Sequence, residues 1–223
     1  MFHPFIFFCY HDYMQRLLEI RQAQQNNKVK KYLRLTKKEL ERFFGITINT
    51  LSIYFIDSRK EIDKIWGKKT ERWLTAWASE NNSIFILNPR VYVKESDHKN
   101  IDHFWKTLKH EYCHLYFKKL THGANHPKWL NEGLACYFAR QEKPKPSRHE
   151  ALKLFNYFKK TDKDIYKISY FWVSLLIKKY GLRKLLRLIK SLDPNITEKQ
   201  FTVIFHRIYK LKYSKKQFEK LYQ

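Results

Sequence analysis

Apolar residues recur at helical spacing at the start of the chain. Residues 13–25 show this spacing, which predicts a first helix that ends in a polar stretch. A second helix is predicted to begin at Thr36, because Glu39 stands three residues later and the pair forms a capping box. Gly45 is the predicted end of that helix.

The period changes from helical to strand-like after Gly45. Residues 47–56 and 83–87 are rich in β-branched and aromatic side chains, so both runs are predicted strands. A short helix near 60–65 and another strand within 71–78 are predicted between them. These elements indicate a small β-sheet in the first half of the chain.

Helical spacing returns at Asp102 and dominates the remainder. A helix from Asp102 to about Lys119 carries apolar side chains on several faces and is predicted to be largely buried. Residues 120–126 are a predicted loop, and Pro127 suits the first position of the next helix. Further helices are predicted at 148–160, 167–179, 182–192, 197–210 and 214–222.

Composition places the chain among folded, helix-rich α+β proteins. Of 223 residues, 43% are hydrophobic and only five are glycine. The three cysteines, Cys9, Cys113 and Cys136, are too few for a disulfide framework and favour a reducing compartment, with the last two expected to be buried. The N-terminal apolar run is too short for a membrane span and resembles a signal peptide poorly. A cytoplasmic protein without a transmembrane segment is therefore expected, and its oligomeric state is left open.

The strongest chemical signal is the run His110-Glu111-Tyr112-Cys113-His114, an H-E-x-x-H pattern. Residues four apart on a helix lie on the same face, so His110 and His114 can bind one Zn²⁺. Glu111 lies beside that face, where it can take a proton from the water that a zinc ion activates. The pattern predicts one zinc per chain with Glu111 as the catalytic base.

A second motif, Trp129-Leu130-Asn131-Glu132-Gly133-Leu134-Ala135, follows in the next predicted helix. Together the two motifs resemble the gluzincin zinc metallopeptidases, in particular the compact peptidase-MA-like domains. The resemblance implies that Glu132 is the third metal ligand. It also implies a zincin-like fold, in which a small mixed sheet packs on the H-E-x-x-H helix and a helical subdomain follows. The corresponding division is 1–45, 46–142 and 143–223.

The same resemblance suggests residues that contact the substrate. Tyr166 is the candidate for stabilising the oxyanion of peptide hydrolysis, with Tyr170 in reserve. Residues 84–87 are the candidate edge strand that pairs with an extended peptide. Glu80 is a candidate anchor for a substrate's amino group, but its surroundings also suit a polar turn, so endopeptidase action is preferred. Asn131 either polarises the site or caps its helix, and the cap is preferred.

Charge keeps two other functions open. The net charge is +24, and residues 143–223 hold 21 Lys and Arg against 6 Asp and Glu. Such a surface attracts polyanions, although lysines scattered over solvated helix faces explain much of it. One alternative is a nucleic-acid-associated metalloprotease whose third ligand is His122 or His126. The other is a basic binding module without catalysis.

Overall fold

A computed structural model describes residues 27–79 and 81–222. The helix predicted at 13–25, Cys9 and Glu80 lie outside the described residues. The chain divides into two compact units, one of Met1–Lys37 with Ile48–Leu108 and the other of Lys38–Thr47 with Lys109–Gln223. The predicted three-part division stays a prediction.

The α+β class is confirmed: the described chain is mostly helical and contains a small mixed sheet. The strands are β1 (Ser52–Ile56), β2 (Ala76–Ala78) and β3 (Ser83–Leu87). The helices are α1 (Asn27–Phe44), α2 (Arg59–Trp66), α3 (Tyr92–Glu95), α4 (Asp102–Leu120), α5 (Lys128–Phe138), α6 (Arg148–Ala151), α7 (Ile165–Tyr180), α8 (Leu182–Lys190), α9 (Glu198–Tyr209) and α10 (Lys215–Leu221), with a 3₁₀ turn at Leu152–Asn156.

The sheet belongs to the first unit, and its strand order is β1-β3-β2. Strand β1 runs parallel to β3, and β2 runs antiparallel to it. The bounds predicted for β3 are confirmed, but its predicted place at the edge of the sheet is wrong. Four of its five residues are buried, and its backbone is hydrogen-bonded on both sides. An apolar strand of this kind occupies the centre of a sheet, so residues 84–87 cannot pair with a substrate.

Two predicted strands are shorter than expected, each for a local reason. Strand β1 begins at Ser52 because its partner β3 begins at Ser83, opposite it in the register. The run 71–78 forms a strand only over Ala76–Ala78. Before it, the carbonyl groups of Glu71, Arg72 and Leu74 accept hydrogen bonds from the guanidinium of Arg59. Those bonds hold a turn in place of an extended ladder.

Helix α1 begins at Asn27, well before the predicted start at Thr36. Thr36 lies inside the helix and is buried. The predicted capping box is wrong, because Glu39 forms an ion pair with Lys109, with 2.6 Å between Oε2 and Nζ. The predicted end of the helix holds: Gly45 has φ of +68°, and its amide donates to the carbonyl of Glu41.

Helix α4 matches its prediction closely and runs from Asp102 to Leu120. Phe104, Leu108, Leu115 and Phe117 are almost fully buried, as expected of its broad apolar coverage. The helix predicted at 148–160 is interrupted after Ala151. The indole of Trp172 donates a hydrogen bond of 2.7 Å to the Ala151 carbonyl, and the chain continues as a 3₁₀ turn.

Helices α5 and α7 cross closely in the second unit, and Gly133 makes this approach possible. A Cβ atom at Gly133 would lie 2.6 Å from Cγ2 of Val173 and closer still to the Ser169 carbonyl oxygen. The contact with the Ser169 carbonyl oxygen cannot be relieved without moving a backbone. The glycine of the second motif therefore sets the distance between the two helices.

We expect Gly133→Ala to destabilise the protein by about 1–3 kcal/mol, because the added methyl overpacks the crossing. Helix propensity acts in the opposite direction, since alanine favours a helix over glycine by about 1 kcal/mol. Denaturant titration gives the free energy of unfolding. A decrease in the variant shows that overpacking outweighs the gain in helix propensity. A variant as stable as the wild type, or more so, contradicts the close crossing.

Within the described ranges, no helix is both long enough and apolar enough to span a bilayer.

Candidate metal centre

The two histidines of the first motif lie one turn apart on α4, and their side chains converge. Their Nε2 atoms are 3.0 Å apart, and the ring planes meet at 87°. His110 is 5% exposed, so the donor atoms are held in the interior of the second unit. Two nitrogen atoms at this separation can face one cation between them.

Glu132 reaches the same point from α5. Its Oε2 atom lies 3.2 Å from Nε2 of His110 and 3.5 Å from Nε2 of His114. The Glu132 side chain is 15% exposed. The structure thus brings together His110, His114 and Glu132, the three residues predicted as metal ligands.

Two amide side chains fix how the histidines present their nitrogens. Nδ1 of His110 lies 2.9 Å from Oε1 of Gln141, and Nδ1 of His114 lies 2.8 Å from Oδ1 of Asn131. An amide oxygen only accepts hydrogen bonds, so each neutral imidazole carries its proton on Nδ1. Both Nε2 atoms are then left with lone pairs directed at each other and at the Glu132 carboxylate.

This arrangement fits a bound metal ion. Two lone pairs and a carboxylate oxygen within hydrogen-bonding distance repel one another unless a proton or a metal ion lies between them. Two histidines and one carboxylate are also the ligand set of many catalytic zinc sites. The residues present therefore fit a metal, although the ligand set alone does not identify which metal.

Glu111 adds a second carboxylate to the site. Donor atoms of His110, Glu111 and His114 lie within 4.8 Å of one another, as a metal-binding cluster requires. Glu111 is 8% exposed. The site therefore brings two carboxylates to the histidines, Glu111 from α4 and Glu132 from α5.

Tyr166 lies close to this cluster. Its ring centroid is 6.0 Å from that of His110. Burial, followed by the nearby carboxylates of Glu132 and Glu111, raises the pKa of Tyr166 well above its usual value. The phenol therefore keeps its proton and can donate a hydrogen bond. Tyr170, the reserve candidate, lies half-buried one turn further along α7.

The buried cysteines are close to the site without joining the cluster of donor atoms. Cys113 and Cys136 are both buried and free, as predicted. Sγ of Cys136 lies 3.9 Å from Nδ1 of His110, on the side away from Glu132. Burial raises the pKa of both thiols, so both keep their protons in the metal-free site.

His122 and His126 also lie outside the cluster of donor atoms. His122 is exposed in the loop after α4. The ring of His126 stacks on Phe158, with centroids 5.8 Å apart. Burial, together with Lys128 and Lys159, lowers the pKa of His126.

Sequence reasoning missed Gln141 and misassigned Asn131. Asn131 does not cap α5, which follows Pro127 and has no side-chain cap; its amide orients His114 instead. Gln141 follows the end of α5, and its backbone N–H donates a hydrogen bond to the Cys136 carbonyl. No spacing rule links a residue beyond a helix end to a histidine on another helix, so no sequence signal pointed to it.

The metal-free site holds a proton that a metal ion would have to displace. Burial opposes protonation of His114, but the carboxylates of Glu132 and Glu111 raise its pKa to about 9. Burial alone would raise the pKa of Glu132, yet the two histidines hold it well below its usual range. At neutral pH the metal-free site therefore holds a proton between His114 and Glu132.

We expect metal affinity to rise about tenfold per pH unit below about pH 9 and to level off above it, because the metal must displace the His114 proton. Because the pKa of His114 is higher in the folded than in the unfolded chain, protonation of His114 stabilises the metal-free fold. This stabilisation is complete below the pKa of an unfolded histidine, about 6.5, and is lost as the pH rises through about 9. Competition titrations with a chromophoric chelator give the affinity. An affinity independent of pH between about 6.5 and 8.5 contradicts the shared proton.

Comparison of the chain with protein-family models, with curated proteins and with solved structures found no match in any of the three.

Proposed function

We propose that this chain is a single-zinc metallopeptidase of the gluzincin type with a zincin-like catalytic unit. The observation that carries the proposal is the convergence of His110 and His114 on α4 with Glu132 on α5. The identity of the metal as zinc rests on this ligand set and on the two sequence motifs, since two histidines and a glutamate suit Zn²⁺.

Glu132 is preferred over His126 as the third ligand because of its contacts. Its Oε2 atom is within 3.5 Å of both imidazole nitrogens. His126 stacks instead on Phe158. With Glu132 as the third ligand, Glu111 serves as the base.

The ligands would be held by a second layer of hydrogen bonds. Gln141 and Asn131 fix the tautomers of His110 and His114 and restrict rotation of their rings. Each neutral amide oxygen accepts a hydrogen bond from the Nδ1–H group and leaves the proton on the imidazole. Glu132 would then supply a negative charge in direct contact with both histidines.

When bound, the metal would acidify a water molecule and polarise the carbonyl group of the peptide bond. Glu111 takes a proton from the attacking water and later delivers it to the leaving amine. Tyr166, which keeps its phenolic proton, donates a hydrogen bond to the carbonyl oxygen as negative charge develops there. Internal cleavage is the expected action.

The proposal is tested by hydrolysis of a fluorescently labelled unfolded protein. The chain supplied with one equivalent of Zn²⁺ is expected to cleave it, to lose activity with a zinc chelator and to regain activity when zinc is restored. Size analysis of the fragments separates internal cleavage from trimming of termini. Full metal occupancy without cleavage of any unfolded substrate would favour the non-catalytic alternative.

A further inference from the structure

A long segment of the second unit carries positive charge without any acidic residue. Residues 165–192, which form α7 and α8, contain seven Lys and Arg and no Asp or Glu. A solvent-exposed helix with many salt bridges carries charges of alternating sign. Helix α2 is an example, since Glu61 and Asp63 stand among its cations.

Helix α8 directs its cations outward. Leu185, Leu188 and Ile189 are fully buried and anchor the helix in the second unit. The solvent-facing positions of the same helix are Arg183, Arg187 and Lys190, which are all exposed. Their i, i+4, i+7 spacing aligns them as one stripe about 10 Å long.

The neighbouring helix ends enlarge this surface. Tyr180 at the end of α7 contacts Tyr209 at the end of α9, with ring centroids 5.3 Å apart. Exposed cations occupy both final turns. We define the α8 surface as the stripe and these cations: Lys178, Lys179, Arg183, Arg187, Lys190 and Arg207.

The α8 surface is electrostatically unfavourable for the isolated protein. Like charges three or four residues apart on a helix repel, and a cation in the first turn also opposes the helix dipole. Arg183 stands in that first turn, where α8 has no acidic residue. The repulsion is partly offset at the neighbouring Lys184, because its ammonium group lies over the Tyr180 ring. Among residues 27–79 and 81–222, none of the six cations forms an ion pair.

We infer that the α8 surface binds the phosphate backbone of a nucleic acid duplex, independently of base sequence. A duplex carries one negative charge per about 1.7 Å of its axis, so a length equal to the stripe offers about six phosphates. Arginine also pairs with phosphate through two parallel hydrogen bonds. The inference concerns a surface separate from the metal ligands and does not depend on peptide hydrolysis.

An anionic membrane is the less favoured partner. Membrane-surface helices insert an apolar face between lipids. On α8 that face is already buried in the protein, and Leu182, at 38% exposure, is its most exposed large apolar side chain. On α8 itself, no apolar face remains exposed beside Arg183 and Arg187.

The test measures binding of the full chain to a labelled DNA duplex of about 20 base pairs across a salt series. The variant Arg183→Gln/Arg187→Gln/Lys190→Gln removes the stripe. The matched control Lys60→Gln/Lys64→Gln/Lys68→Gln removes the same charge from exposed lysines of the first unit. Circular dichroism and melting temperature establish that both variants are folded.

Loss of three phosphate contacts is expected to reduce the slope of log K against log salt by about 2.7 and to weaken binding at about 0.1 M salt at least 100-fold. The control is expected to change binding by less than about tenfold, since it alters only the long-range field. Arg183→Lys/Arg187→Lys, which keeps the charge, should retain most of the binding. Equal losses in the two triple variants overturn the inference, and so does binding to phosphatidylserine vesicles without binding to DNA.

Discussion

Glu111→Gln is expected to bind zinc like the wild type and to hydrolyse peptides about 10²–10⁴-fold more slowly. Glutamine has nearly the same shape as glutamate but cannot accept the proton of the attacking water. Because Glu132 and the two histidines keep their contacts, the metal should be retained. Steady-state kinetics on a labelled unfolded protein, with metal content measured on the same preparation, give both quantities.

Glu219→Gln is a suitable control, since it removes an equivalent charge from an exposed position of α10. It should leave both metal content and activity unchanged. Full activity in Glu111→Gln would show that Glu111 is not the base. Loss of zinc in that variant would show instead that Glu111 is a ligand, an arrangement that its place in the donor cluster also permits.

Glu132→Ala is expected to weaken zinc binding by more than about 100-fold, since it removes a ligand where loss of an outer partner alone costs 10–100-fold. The variant also loses the carboxylate that raises the pKa of His114. Proton competition should therefore shift to lower pH in the variant. Affinities compared above about pH 9, where the wild-type proton competes least, isolate the loss of the ligand.

His126→Ala provides the matching control for the third ligand. Its side chain packs on Phe158 and takes no part in the cluster, so zinc affinity should stay within about twofold of wild type. If His126→Ala lost the metal while Glu132→Ala kept it, the third ligand would be the histidine. The nucleic-acid-associated metalloprotease would then be the better description.

Local rules predicted much of the metal centre. The spacing of His110 and His114 is sufficient to place two imidazoles on one face of α4, because helix geometry fixes it. Gly45 ends α1 for an equally local reason, its positive φ. Helix geometry alone does not place Glu132 beside the histidines, because that contact depends on how α5 packs against α4.

Long-range contacts explain what sequence reasoning missed. The start of α1 was misplaced because Thr36 and Glu39 match a capping box in sequence but lie inside the helix, where Glu39 pairs with the distant Lys109. The central place of β3 depends on strands on both sides, which its own residues do not specify. Gln141 is recognisable only once its amide oxygen is seen beside His110.

The close helix crossing gives the second motif a physical meaning. Gly133 lets α5 approach Ser169 and Val173 on α7, the helix that also carries Tyr166. Glu132, the residue before Gly133, contacts both histidines, and Asn131 orients His114. One short segment therefore supplies the proposed third ligand, a hydrogen bond to His114 and the helix contact that positions both.

Metal stoichiometry of the wild-type chain tests the central claim most directly. Protein equilibrated with Zn²⁺ and then dialysed is analysed for metal by elemental mass spectrometry, with protein concentration from amino-acid analysis. Convergence of His110, His114 and Glu132 on one point predicts one zinc per chain. A chain that retains no zinc after equilibration would contradict the metal centre and, with it, the proposed peptidase.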